Sequence, residues 1–143
     1  MIRPWFMVTY DTKIGIVVRQ DLASWQKLNI ACFLTGGLAK AFPEISGEPY
    51  VDANQVAYLS LLRQPVLIFG AEKAELLNVT ERARARGVQV AIYTEDLFST
   101  YNDVDNRAAV ASVETGCLNL VGVAVYADRR VADKILKGLR LLT

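Results

Sequence analysis

Lys13-Ile-Gly-Ile-Val-Val-Arg-Gln-Asp-Leu22, running on into Ala23-Ser-Trp-Gln-Lys-Leu-Asn-Ile-Ala31, sets the frame for the rest of the chain. Ile14 to Val18 is a strand without polar positions on either face, hence a central one. Its apolar run stops at Arg19, two polar positions reach Asp21, and helical spacing begins directly afterwards. A buried strand thus empties into a short polar loop at a helix N-terminus. Ligands of α/β proteins sit outside the carboxyl ends of strands, so Arg19, Asp21, Lys27 and Asn29 are expected at one cleft. Amides at such a terminus hold an oxyanion or a phosphate, and a nearby ammonium stabilises negative charge in a transition state. The competing structural reading pairs Arg19 with Asp21 across the loop and leaves Lys27 solvated.

Outward from that stretch, the helix is expected from Ser24, as N-cap, to Phe42, where Pro43 stops it. Its middle, Ile30 to Leu34, is apolar nearly all round, which predicts burial on two sides. Gly15 marks a close approach by a neighbour, and close backbone packing would explain the pair Gly36-Gly37. Residues 43–64 form an excursion turning at Asp52-Ala-Asn54. Its Glu48, Tyr50, Asp52, Tyr58 and Arg63 are expected either to fold over the strand-end edge as a lid or to pack elsewhere. Pro65–Gly70, Val88–Tyr93 and Leu118–Tyr126 are the remaining strands. Helices lie between and after them: Ala71–Arg86 closed by Gly87, Asn102–Val113 with Val104, Ala108 and Val110 packing, and one capped by Asp128 with Val131, Ile135 and Leu139 as its stripe. This order gives an α/β fold over residues 1–143, three-layer α/β/α, with a mixed sheet of about four main strands and at least some parallel pairs. Residues 1–10 are expected to add a short strand or arm.

Composition limits the chemistry. A hydrophobic fraction of 52% over 143 residues allows a large core, and a net charge of +1 gives no global pull toward nucleic acid or anionic membrane. The chain has no histidine. That removes Ser-His-Asp and Cys-His hydrolases and His-ligated zinc. Cys32 and Cys117 each sit among apolar residues, the setting of buried thiols in a reducing cytosol. No membrane span, no cofactor and no metal site is expected, and the location expected is cytoplasmic.

A second cluster, Thr94, Glu95, Asp96, Thr100 and Asp103, follows another strand end. If that strand lies parallel to and beside the first, both loops open on one edge and Glu95 can orient a water or Lys27. The alternative is a capping, solvated acidic surface. Arg130, Lys134 and Lys137 share one helix face, expected to be solvated, with phosphate binding as the alternative, and Arg82, Arg84 and Arg86 point at a local patch opposed in part by Glu75 and Glu81.

Lys13 to Leu22 resembles the opening strand and loop of type II peptidyl-tRNA hydrolases, and Leu120–Val125 with Val131–Leu142 is similar to their last strand and closing helix. Trp25-Gln-Lys-Leu-Asn29, Gly47–Asp52, Leu62–Pro65 and Asn102–Asn106 resemble an uncharacterised bacterial domain-of-unknown-function family thought to share that fold. The resemblance implies the hydrolase fold and a homodimer, with Lys27, Glu95 and Thr94 as catalytic residues. The chain departs from the hydrolase pattern at Gln26-Lys27-Leu28, Cys32, Thr35 and Leu97-Phe98-Ser99, and its near-neutral charge suits tRNA poorly. The leading expectation is therefore binding of a small molecule or nucleotide by Arg19, Asp21, Asn29, Thr100 and Asp103. Hydrolysis of peptidyl-tRNA is the first alternative, and a non-catalytic homodimeric interaction protein the second.

Overall fold

The computed structural model describes residues 10–143, so the expected arm over residues 1–10 lies outside the described residues but for Tyr10. Strand β1 (Thr12–Arg19) leads into helix α1 (Ser24–Ala41). A short hairpin follows, β2 (Tyr50–Val51) with β3 (Ala57–Tyr58), then β4 (Val66–Ala71) and α2 (Lys73–Ala85). The chain continues through β5 (Ala91–Thr94), α3 (Asp103–Ala111), β6 (Leu120–Asp128), α4 (Arg129–Ile135) and β7 (Arg140–Leu141). It is a mixed α/β structure with four helices among the described residues. One sheet has the order β5-β6-β1-β4-β7; β1 and β4 are parallel and every other neighbouring pair is antiparallel.

Alternation along β1 divides the core. Ile14, Ile16 and Val18 join Ile30, Leu34 and Leu38 of α1, while Val17 joins Leu76 and Val79 of α2 and Ile135 of α4. Each such side chain, buried completely, contributes about 1.5–3 kcal/mol. Gly15 is crowded as expected, because an added Cβ would meet Leu136 Cδ1 at 2.5 Å. Gly87 closes α2 with φ +68°, and the Val88 amide returns to the Ala83 carbonyl at 2.9 Å.

Several expectations are corrected. Among the described residues the sheet has five strands: the last helix ends at Ile135, the chain turns at Gly138 (φ +86°), and β7 pairs with β4. Leu139 and Lys137 therefore lie beyond the helix. Arg82, instead of joining a basic patch, donates to the Lys137 carbonyl at 3.0 Å and closes that helix end. The N-cap of α1 is Ala23, whose amide donates to Gln26 Oε1 at 3.0 Å, and Ser24 is the first helical residue. Among the described residues α1 buries one side, through Ile30, Leu34 and Leu38: Cys32 is exposed, as is Cys117, and Phe33 is 58% exposed. Gly36 has open space where a Cβ would stand, and Gly37 meets only Ala91 at 3.6 Å, so close packing does not explain the pair. Val104 and Ala108 on α3 are exposed.

The excursion turns at Asp52, which accepts from the Asn54 and Val56 amides at 2.9 and 3.0 Å and from the Tyr58 hydroxyl at 2.8 Å. It is not a lid. Helix α1 carries the chain to the far edge of the sheet before the excursion starts, and Gln64 Nε2 donates to the Thr12 carbonyl, at the amino end of β1, at 3.2 Å. None of the described helices is long and apolar enough to cross a membrane.

Candidate functional site

Strand direction assembles the site. Since β1 and β4 are parallel, their carboxyl ends share one edge of the sheet. Strand β5 runs the same way, but with β6 between it and β1, not beside β1 as anticipated. Both loops still open on one edge, and β6 starts there. Arg19, Gln20, Asp21, Ala71, Glu72, Lys73, Glu95 and Asn119 line an open cleft of about 650 Å³ at this edge.

A line of polar groups crosses its floor. Arg19 Nε donates to Asp21 Oδ1 at 3.0 Å and Nη2 donates to Asp21 Oδ2 at 2.8 Å, a two-pronged pair. Arg19 Nη1 donates to Asn119 Oδ1 at 3.3 Å, and Asn119 Nδ2 donates to Glu95 Oε2. The Glu95 amide donates to the Asn119 carbonyl at 2.9 Å, which ties the two loops by backbone as well. The Gln20 side chain lies against Gly70, where a Cβ would meet Gln20 Cγ at 2.7 Å. Across the cleft, Glu72 and Lys73 open the 13-residue α2.

The hydrogen bond from Arg19 holds the Asp21 carboxyl below its ordinary range, against a smaller opposing effect of burial. The same bond raises Arg19 above its already high value. Because the folded value of Asp21 is depressed, the pair's contribution to stability is present above the ordinary carboxylate range and is lost as pH falls through the lowered value. Arg19→Leu is expected to return Asp21 to the ordinary range, as followed by carboxyl NMR shifts against pH. An unmoved titration curve would show that the pair does not form.

The structure brings Arg19, Asp21 and Glu95 together and separates the other expected residues from them. Lys27 lies close enough to Asp21 to favour its charged form, yet does not line the cleft. Asn29 lines a different cavity together with Tyr93, Thr100 and Asp103. The helix explains this split: residues two apart point about 200° away from each other at 3.6 residues per turn, so Lys27 and Asn29 cannot serve one site. Thr100 Oγ1 donates to the Leu97 carbonyl at 3.1 Å and also bonds Asn106, and Asp103 pairs with Arg107. Thr94 is buried at the point where the β5–β6 register shifts, its hydroxyl without a partner among the described groups. Burial also raises the Tyr93 hydroxyl above its usual range, partly offset by the neighbouring Asn29 side chain.

Sequence reasoning missed Gln20, Glu72, Lys73 and Asn119. Glu72 and Lys73 follow β4 as Arg19 ends β1, so the same strand-end rule applied to Gly70-Ala71 would have found them. Asn119 carries no such signal, because it precedes an antiparallel strand and sits at that strand's amino end.

Comparison with known proteins places the chain beside others of unknown function. The family model described as "Protein of unknown function (DUF2000)" matches residues 12–143. A solved structure of Atu0240, a protein of unknown function from Agrobacterium tumefaciens strain C58, is similar at 36% identity. That match covers 94% of this chain and 100% of the other, with a TM-score of 0.91. No curated protein matches the sequence.

Proposed function

The chain belongs to the DUF2000 family of proteins of unknown function, and we propose that it binds a small phosphate-bearing molecule of the nucleotide class in the strand-end cleft. The observation that carries this reading is the line Asp21–Arg19–Asn119–Glu95 beneath a 650 Å³ cleft that also exposes Lys73. Arg19 is committed to Asp21 and Asn119, so its work is to fix the floor. Lys73, in the first turn of α2, is the ammonium lining the cleft and would meet a phosphate there, while the helix start itself is closed by Glu75, whose Oε1 accepts from the Glu72 amide at 3.0 Å. Glu95 is left to accept from a hydroxyl or an amino group. The lining sets two cations against three carboxylates, Asp21, Glu72 and Glu95, so a monophosphate meets less repulsion there than a triphosphate.

Thermal-shift titration with nucleoside monophosphates, nucleosides and inorganic phosphate tests this. A saturating nucleoside monophosphate at one hundred times Kd should add about 2.7 kcal/mol to stability. Lys73→Ala should weaken the response and Arg19→Ala should remove it. No shift with any monophosphate at millimolar concentration, in folded protein, would overturn the reading.

Peptidyl-tRNA hydrolysis on a type II hydrolase-like, three-layer fold is the second reading. Glu95 favours it, since Asn119 holds the Oε2 atom and Oε1 has no partner among the described groups; such a carboxylate can position a water. The position of Lys27 outside the cleft weighs against it, and Lys73 would be the nearer ammonium. Single-turnover hydrolysis of an N-blocked aminoacyl-tRNA decides: loss of about 100-fold in Glu95→Ala, on the order of 3 kcal/mol, would establish it.

A further inference from the structure

A second cavity, of about 530 Å³, shares no lining residue with the cleft. Trp25, Phe33, Tyr93, Phe98 and Tyr101 line it, together with Asp103. The rings meet at steep angles. Trp25 and Phe98 are 5.9 Å apart at 69°, Phe33 and Tyr93 5.8 Å at 74°, and Tyr93 and Phe98 5.2 Å at 48°. Rings packed at these angles give the cavity a box-like aromatic wall with no parallel pair of faces among them. A planar base stacks in a slot between parallel faces, whereas a compact organic cation gains from ring faces turned toward it on several sides, each with a negative centre.

Charge agrees with shape. Asp103 lines the box, and among the described residues that line it none is Lys or Arg. Arg107, the partner of Asp103, lines a neighbouring apolar groove instead. Their exposed i,i+4 pair holds weakly, so a bound cation can take its place. The walls are also wet: Trp25 is 63% exposed, Phe33 58% and Tyr101 93%. Covering them with the methyl groups of an ammonium ion removes apolar surface from water while the charge stays beside Asp103.

We propose that this aromatic box binds a methylated, quaternary ammonium group, independently of what the strand-end cleft holds. Calorimetric titration of the full chain with choline, its uncharged tert-butyl isostere and adenosine tests it. Choline should bind saturably, and the isostere, of equal shape, should bind at least about tenfold more weakly. Trp25→Leu and Tyr101→Leu, both at exposed positions and so safe for folding, should each weaken choline by about tenfold. Equal affinity for choline and the isostere would reduce the box to an apolar pocket. Tighter binding of adenosine, or no heat with choline at millimolar concentration, would overturn the proposal as well.

Discussion

Gly122→Ala is expected to destabilise the protein by about 1–3 kcal/mol and Ile30→Ala by about 2–5 kcal/mol, while the double variant loses less than the sum. Gly122 lies on β6 directly beneath α1. A Cβ there would overlap Ile30 Cγ2 and reach Leu34 Cδ1 at 3.1 Å and Tyr93 Cβ at 3.6 Å. The Ile30 methyl is attached at a branched Cβ on a helix, so it cannot swing aside as the end of a long side chain could. Ile30 is itself fully buried, and truncating it leaves a cavity. In the double variant the added methyl enters space that the lost side chain vacated. Coupling of about 0.5–3 kcal/mol between touching residues is the usual range, here with the sign of a rescue. Urea denaturation with unchanged m-values would measure it. Strict additivity would mean that α1 rises off the sheet at Gly122 instead of meeting it there. The contact also bears on the proposed aromatic box, because α1 brings Trp25 and Phe33 to it and Tyr93 adjoins the same glycine.

What the sequence discloses follows from which physical signals are local. The apolar run of β1 and its abrupt end at Arg19 are local, so the central strand and three cleft residues, Arg19, Asp21 and Glu95, could be found without coordinates. Direction along a helix is local too, and the 200° between Lys27 and Asn29 was available from spacing alone. Strand order is not local. Nothing near Asn119 indicates that β6 inserts between β1 and β5 and delivers that amide to the space between two charged side chains. The C-terminus misleads in another way, since Val131, Ile135 and Leu139 keep helical spacing through a turn. Gly138, which can take the left-handed backbone that ends a helix, was the overriding signal. The exposed Cys32 and Phe33 show that apolar character reports affinity for another surface without saying whether this chain supplies it.

Asn119→Asp is expected to lose about 1–3 kcal/mol at neutral pH and to recover much of it on acidification. In the native protein the Asn119 amide is the spacer of the line: its oxygen accepts from Arg19 and its nitrogen donates to Glu95. The substitution keeps the acceptor and removes the donor, so two carboxylates face each other with no N–H between them. Arg19 cannot neutralise the addition fully, because two of its donors already bind Asp21. The introduced carboxyl therefore holds its proton to higher pH than an ordinary aspartate. A group whose folded value is raised contributes stability that is present below its unfolded value and lost as pH rises through the folded one. The deficit relative to the native chain should thus be smallest near pH 4 and largest at neutral pH, whereas Asn119→Ala, which introduces no carboxyl, should show a deficit that changes much less with pH. Thermal unfolding of the three proteins across that range separates these outcomes. An Asn119→Asp deficit no more dependent on pH than that of Asn119→Ala would mean that Asn119 only fills space between the two loops. A more strongly pH-dependent one would show that the cleft floor is a single electrostatic unit, in which a ligand bound at Glu95 is felt at Arg19.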